Sequence, residues 1–151
     1  MKKGQASLRK GRVSLDNQIY HISTSTIERK PLFLDFRFGR IVVDCLRHES
    51  NLGRTETLAY VVMPDHLHWL FALTPGHSLS ECVKNVKSNS ARKINRLHNQ
   101  GGRIWTSAFY DRAIRRNEDL PAVARYIVAN PLRACLVQTI REYPLWDAKW
   151  V

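Results

Sequence analysis

The chain has 151 residues, 44% of them hydrophobic. That is the size of one ordinary domain, able to bury about two thirds of its unfolded surface around a single core. No apolar run approaches the roughly 18 residues of a membrane span, and the amino terminus lacks the apolar stretch of a signal peptide, so a cytoplasmic protein without a membrane partner is expected. Lys and Arg number 24 against 13 acidic residues, for a net charge of +11. Such a surplus on a small domain points to a polyanionic partner, nucleic acid first. Cys45, Cys82 and Cys135 are an odd, widely spaced set without a Cys-x-x-Cys pair. They fit reduced core thiols better than disulfides or a zinc knuckle.

Residues 1–14 carry Lys2, Lys3, Arg9, Lys10 and Arg12 with no acid, as expected of a flexible basic arm, and residues 15–151 are read as one domain. Gln18 to Thr26, rich in Ile, Thr and Tyr, predicts a first strand. Pro31 suits a helix start, and Leu34, Phe38, Ile41 and Cys45 recur at helical spacing to about His48 and are expected in the core. Beyond the loop at Gly53, the segments 57–63 and 66–73 predict two strands joined tightly at Pro64-Asp65. Ser78-Leu79-Ser80-Glu81 has capping-box spacing and opens a helix to about Leu97, with Leu79, Cys82, Val83, Val86, Ser90, Ile94 and Leu97 inward. Its other face carries Lys84, Lys87, Arg92 and Arg96, either a nucleic-acid stripe or a solvated surface. After a glycine-containing break, 105–114 predicts a strand with Arg112, Arg115 and Arg116 at its end. The last helix starts near Asn117 or Asp119, tolerates Pro121 in its first turn and is expected to stop before Pro131. Strand, helix, two strands, helix, strand, helix is an α+β order.

Two features carry chemistry. His66 and His68 flank Leu67 at the start of a predicted strand, so they share one face while Leu67 turns inward. Neutral imidazole is a common metal ligand, and two rings on one face converge easily, although a half-exposed polar pair on a sheet has the same spacing. In the last helix Leu120, Val123, Ala124, Ile127 and Val128 form the apolar stripe. Tyr126 falls roughly 130° from its centre, with Asn130 on nearly the same edge. Alone, Tyr126 beside Arg125 also fits an ordinary surface tyrosine. Together with the histidines and the basic charge it suggests phosphodiester chemistry, in which a phenol attacks phosphorus only if a base, cation or metal helps it lose its proton.

Tyr20-His21-Ile22-Ser23, Met63-Pro64-Asp65-His66-Leu67-His68-Trp69-Leu70, Trp105 through Phe109-Tyr110-Asp111-Arg112, and the stretch from Arg125-Tyr126-Ile127 to Asn130-Pro131-Leu132-Arg133-Ala134 resemble the REP-associated tyrosine transposases, a branch of the single-tyrosine HUH endonucleases. The resemblance implies a ferredoxin-like α+β sandwich with an antiparallel sheet. It implies Tyr126 as the catalytic nucleophile and His66 and His68 as metal ligands. Asn130 takes the place where related insertion-sequence transposases carry a glutamine that completes the metal site. It further implies magnesium or manganese as the cofactor, and single-stranded DNA with hairpins (REP elements) as the partner, cut beside the hairpin through a 5′-phosphotyrosine. The protein would be cytoplasmic and nucleoid-associated, a monomer or a homodimer. Lys84, Lys87, Arg92, Arg112, Arg115, Arg116, Arg125 and Arg133 are the candidate DNA contacts. The alternatives are a noncatalytic hairpin DNA- or RNA-binding protein of ferredoxin-like fold, and a nuclease that uses water, with Tyr110 or Tyr126 structural. The tail Tyr143-Pro144-Leu145-Trp146 has two uses open to it, capping the core or covering the site.

Overall fold

Apolar residues on both faces of one hairpin decide the architecture, because both faces must then be covered. The computed structural model describes residues 18–99 and 101–150, so the basic arm expected over 1–14 lies outside the described residues. Strands β1 (Gln18–Ser25), β2 (Thr55–Met63), β3 (His66–Leu73), β4 (Tyr110–Ala113) and β5 (Trp146–Ala148) form an antiparallel sheet in the order β4-β1-β3-β2-β5. Helices α1 (Phe36–Asn51) and α2 (Leu79–His98) cross between the first four strands, and α3 (Leu120–Val128) and α4 (Asn130–Arg133) follow them. The first six elements make the β-α-β-β-α-β unit of a ferredoxin-like sandwich, as expected; β5 extends the sheet beyond β2.

Tyr20, Ile22, Leu67, Trp69 and Phe71 point to one face and pack with Val42, Leu46, Val83 and Val86 of α1 and α2. Trp69 stacks on Phe71 with ring centroids 3.9 Å apart and donates its indole N–H to Thr57 Oγ1 at 2.9 Å. On the other face Val61, Met63 and Leu70 meet Ala124, Ile127 and Val128 of α3. The molecule is thus three-layered, with α3 alone of the longer helices on the histidine side. No helix among the described residues is long and apolar enough to cross a membrane.

Several local expectations shift. The first helix starts at Phe36 rather than Pro31: Asp35 caps it by accepting from the Arg37 N–H at 3.0 Å, and Leu32–Leu34 is a separate 3₁₀ turn held by Phe33 N–H donating to Pro64 C=O at 3.0 Å. The strand expected over 105–114 contracts to Tyr110–Ala113, with Trp105 making only a bridge to Thr26. In between, the Ala108 carbonyl accepts from Thr24 Oγ1 at 3.0 Å and Lys87 Nζ at 3.1 Å, side-chain donors that take the place of a strand partner. Helical backbone also resumes past Ala129, since Pro131 falls in the first turn of α4, where its missing N–H costs nothing. Cys45 and Cys82 are buried as expected, but Cys135 is exposed, at the end of α4 where the backbone turns to φ 59°. Leu34 and Leu97, expected in the core, are exposed, Leu34 because it falls in the separate 3₁₀ turn and Leu97 because it lies in the last turn of α2.

The aromatic tail caps the core. Tyr143 donates its hydroxyl to Val62 C=O at 2.6 Å, Leu145 C=O accepts from Val62 N–H at 2.9 Å, and Leu145 is buried against α1. Gly39 makes this approach possible, because a Cβ there would collide with the Leu145 side chain. Leu145→Ala should therefore lower stability by about 2–5 kcal/mol, while Trp150→Ala, at a position 40% exposed, should change it by less than about 1 kcal/mol. Urea unfolding followed by tryptophan fluorescence for the first and circular dichroism for both measures the difference; equal losses would remove the tail from the core.

Candidate active site

Strand pleating puts His66 and His68 on the α3 side of the sheet, opposite Met63 and Val61 on β2 and opposite Ser25 and Ser23 on β1. The two-residue turn before them is pinned from outside. Thr26 donates its N–H at 3.0 Å and its hydroxyl at 3.2 Å to Asp65 C=O, and Phe33 holds Pro64. Glu28 and Arg29, both at φ 55°, bend the intervening chain through a left-handed conformation that side chains other than glycine seldom adopt. The bend returns Arg29 to the site: its Nε donates to Asp65 Oδ2 at 3.0 Å and its Nη1 to Ser25 Oγ at 2.9 Å.

Asp65 Oδ1 in turn accepts from His66 Nδ1 at 2.8 Å. Partial burial raises the Asp65 pKa, but the His66 hydrogen bond and the Arg29 charge outweigh it and hold the carboxyl below its ordinary range. An ionised carboxylate only accepts, so His66 Nδ1 carries the proton of this bond, the tautomer that in a neutral ring leaves the lone pair on Nε2.

His68 is held by a residue to which the sequence assigned no role. His21 Nε2 lies 3.0 Å from His68 Nδ1, with the ring centroids 5.2 Å apart, and the His66 and His68 rings meet edge to face at 4.8 Å. Burial, then the neighbouring Arg112, push His21 down to about 4. Burial, then His21, His66 and Arg133, push His68 down to about 3. Both rings are therefore neutral near pH 7, the form that binds metals. His21 shares its face with Ser23, but only the β1–β3 register brings it to His68, and register is not written in either strand alone.

Helix α3, capped by Asp119 accepting from Ala122 N–H at 3.1 Å, carries the tyrosine. Tyr126 is 66% exposed, and the Arg133 guanidinium lies over its ring, 3.8 Å from the centroid. The same guanidinium's charge bears on His68, so one cation rests on the phenol ring and acts electrostatically on one of the imidazoles. Asn130 Nδ2 donates to Ile127 C=O at 2.7 Å, which leaves its Oδ1 for another partner.

The basic candidates divide between two sides. Arg112, directly opposite His21 on β4, is on the histidine face but forks onto Glu118, 3.0 Å to each oxygen. Arg115, Arg116 and Arg125 are exposed, and Arg133 has no carboxylate partner among the described residues. Lys84, Lys87 and Arg92 lie on α2, across the sheet from the histidines; Lys84 and Lys87 border a groove of about 430 Å³ with Arg103, Trp105 and Phe109. Arg92 donates to Asn89 Oδ1 at 2.7 Å.

The donor set fits a metal. Each imidazole has its Nδ1 engaged, by a carboxylate in one case and a histidine in the other, the pattern that orients ligating histidines through Nε2. Among the described residues no three His, Cys, Asp or Glu side chains gather to hold an ion by themselves. Amide, water or phosphate oxygens would supply the remaining positions of a divalent ion.

Comparison with known proteins bears on the family and the fold. The family model described as "Transposase IS200 like" matches residues 14–130. The chain is similar to the ISDra2 transposase TnpA of Deinococcus radiodurans, 32% identical over 72 residues, which are 44% of this chain and 51% of that protein. It is also similar to the REP-associated tyrosine transposase of Escherichia coli K12, 29% identical over 90 residues, 59% of this chain and 52% of that one. The matches thus span about half the length of these curated relatives. A structure of a REP-associated tyrosine transposase bound to a REP hairpin shares the fold, with TM-score 0.70 at 20% identity over 88% of this chain and 78% of that chain. The resemblance to REP-associated tyrosine transposases read from the sequence is borne out.

The histidine pair makes stability depend on pH. A histidine whose folded pKa lies below its unfolded value of 6.5 takes up its proton on unfolding, so the stability it contributes is complete above about pH 6.5 and is lost as pH falls toward about 4 for His21 and about 3 for His68. His21→Gln removes one such group. Between about pH 6.5 and pH 4.5 its loss of stability should be shallower than wild type by up to about one proton, as measured by denaturant unfolding at stepped pH. An unchanged slope would contradict the buried neutral pair.

Proposed function

The chain belongs to the IS200-like transposase family, and from that premise we propose that it cuts single-stranded DNA beside a hairpin and holds one product covalently on Tyr126. The observation that carries this reading is a face on which His66 and His68 each have their Nδ1 engaged, with the Tyr126 ring under the Arg133 guanidinium whose charge also bears on His68. Hairpin DNA as the partner draws support from the REP hairpin bound by the structural neighbour and from the net charge of +11.

In the reaction the Tyr126 oxygen forms a bond to the scissile phosphorus while the bond from phosphorus to the 3′ oxygen breaks. The phenol proton passes to solvent, and the departing 3′ oxygen takes a proton from solvent. The 5′-phosphotyrosine conserves the bond energy, so the free 3′ hydroxyl of the same or another strand can reverse the step without ATP. Arg133, whose guanidinium lies over the Tyr126 ring, supplies a positive charge beside the nucleophile and a donor for a nonbridging phosphate oxygen. A magnesium or manganese ion held by His66 and His68, with Asn130 as a further oxygen donor, would neutralise the phosphate and stabilise the leaving oxygen. Arg112, Arg115, Arg116 and Arg125 suit backbone phosphates of the same strand, and Lys84, Lys87 and Arg92 those of DNA reaching the α2 side.

A denaturing gel tests the proposal. With manganese and hairpin-bearing single strands drawn from repeats flanking its own gene, wild type should give a covalent protein–DNA adduct. Tyr126→Phe should abolish it, and His66→Ala should reduce it by at least about 100-fold. Tyr110→Phe should retain it, although Tyr110 is 81% exposed on the same face. Cleavage without any adduct would favour water as the nucleophile; hairpin binding without cleavage would favour a noncatalytic binder.

A further inference from the structure

His21 belongs to no part of the proposed reaction, yet its side chain reaches from β1 to hold a ring of the histidine pair. We infer that His21 is a positioning residue, its Nε2 accepting a hydrogen bond from His68 Nδ1 and so keeping the lone pair of His68 on Nε2. The inference deepens the metal reading of His66 and His68 and rests on it.

A neutral imidazole has one donor and one acceptor nitrogen, so the 3.0 Å contact between His21 Nε2 and His68 Nδ1 allows two arrangements. If His21 donated, His68 would carry its remaining proton on Nε2 and could not ligate through that atom. If His68 donates, its Nε2 is a ligand, as His66 Nε2 is when Asp65 accepts from Nδ1 at 2.8 Å. His21 thus does for His68 what Asp65 does for His66, without adding negative charge. Geometry makes the role specific. Ser23, not His21, is directly opposite His68, so the bond runs diagonally across the strand pair, a span that a ring bridges and a small side chain does not. Both rings are half-buried, which limits the water available to replace the bond.

The test uses the full chain with His21→Leu, which removes the acceptor, and His21→Gln, whose amide oxygen replaces it. Manganese binding is followed by electron paramagnetic resonance. Long-range proton–nitrogen spectra of the metal-free protein report the His68 tautomer and whether the fold is intact, and hairpin binding in EDTA provides a metal-independent control. Expected are about 10- to 100-fold weaker manganese binding in His21→Leu, recovery in His21→Gln, unchanged hairpin binding in EDTA, and a His68 that carries its proton on Nδ1 in wild type but not in His21→Leu. Equal manganese affinity in wild type and His21→Leu, a wild-type His68 protonated on Nε2, or equal loss in both variants overturns the proposal. A wild type that binds no manganese removes the metal reading itself and the role of His21 with it. A wild type that binds manganese while His21→Leu binds it equally removes only the role of His21.

Discussion

The candidate site depends on the fixed turn between β2 and β3. Two residues connect the most buried strands, and the pleat then dictates that His66 and His68 face the same way. Asp65 is the hub: its carbonyl accepts from Thr26, and its carboxylate bridges Arg29 and His66. A backbone constraint is thus converted into the orientation of an imidazole. The left-handed backbone at Glu28 and Arg29 belongs to the same device, strain tolerated where it returns a guanidinium to the turn.

Electrostatics explains how a strongly basic chain keeps neutral rings at its centre. Burial and nearby guanidinium groups both disfavour imidazolium, so the cations proposed to meet phosphates also keep the His21 and His68 rings neutral. The guanidinium groups differ in how they are held. Arg29 is tied to Asp65 and Arg112 to Glu118, whereas Arg133 rests on an aromatic ring, an interaction that leaves its N–H donors free for phosphate. Of the three, it alone combines closeness to Tyr126 with an uncompensated charge.

Much of this was legible in the sequence because it rests on local rules. The alternation around Leu67, the turn chemistry of Pro64-Asp65, the Ser78 cap and the apolar stripe of α3 each led to the correct element. What escaped was set by partners distant in the chain. His21 acquires its role only through the β1–β3 register. Trp105 leaves the ladder because side chains from β1 and α2 claim the Ala108 carbonyl, and the start of α1 moves to Asp35 because Phe33 is held by the hairpin turn. Arg133 reaches Tyr126 because helical backbone resumes through Pro131, which the sequence read as a stop. Likewise, the basic stripe of α2 could not be assigned to the side away from the histidines until the layers were known.

The most direct test of the central claim is chemical. DNA trapped on the protein after reaction with manganese is digested to nucleotides, the protein is cut with trypsin, and the peptide that bears the residual 5′-phosphorylated nucleotide is identified by mass spectrometry. The account predicts that the added mass lies on Tyr126, in the peptide of residues 126–133. Attachment to Tyr110 or to any other residue, or cleaved DNA with free 5′ phosphates and no modified peptide, would contradict it.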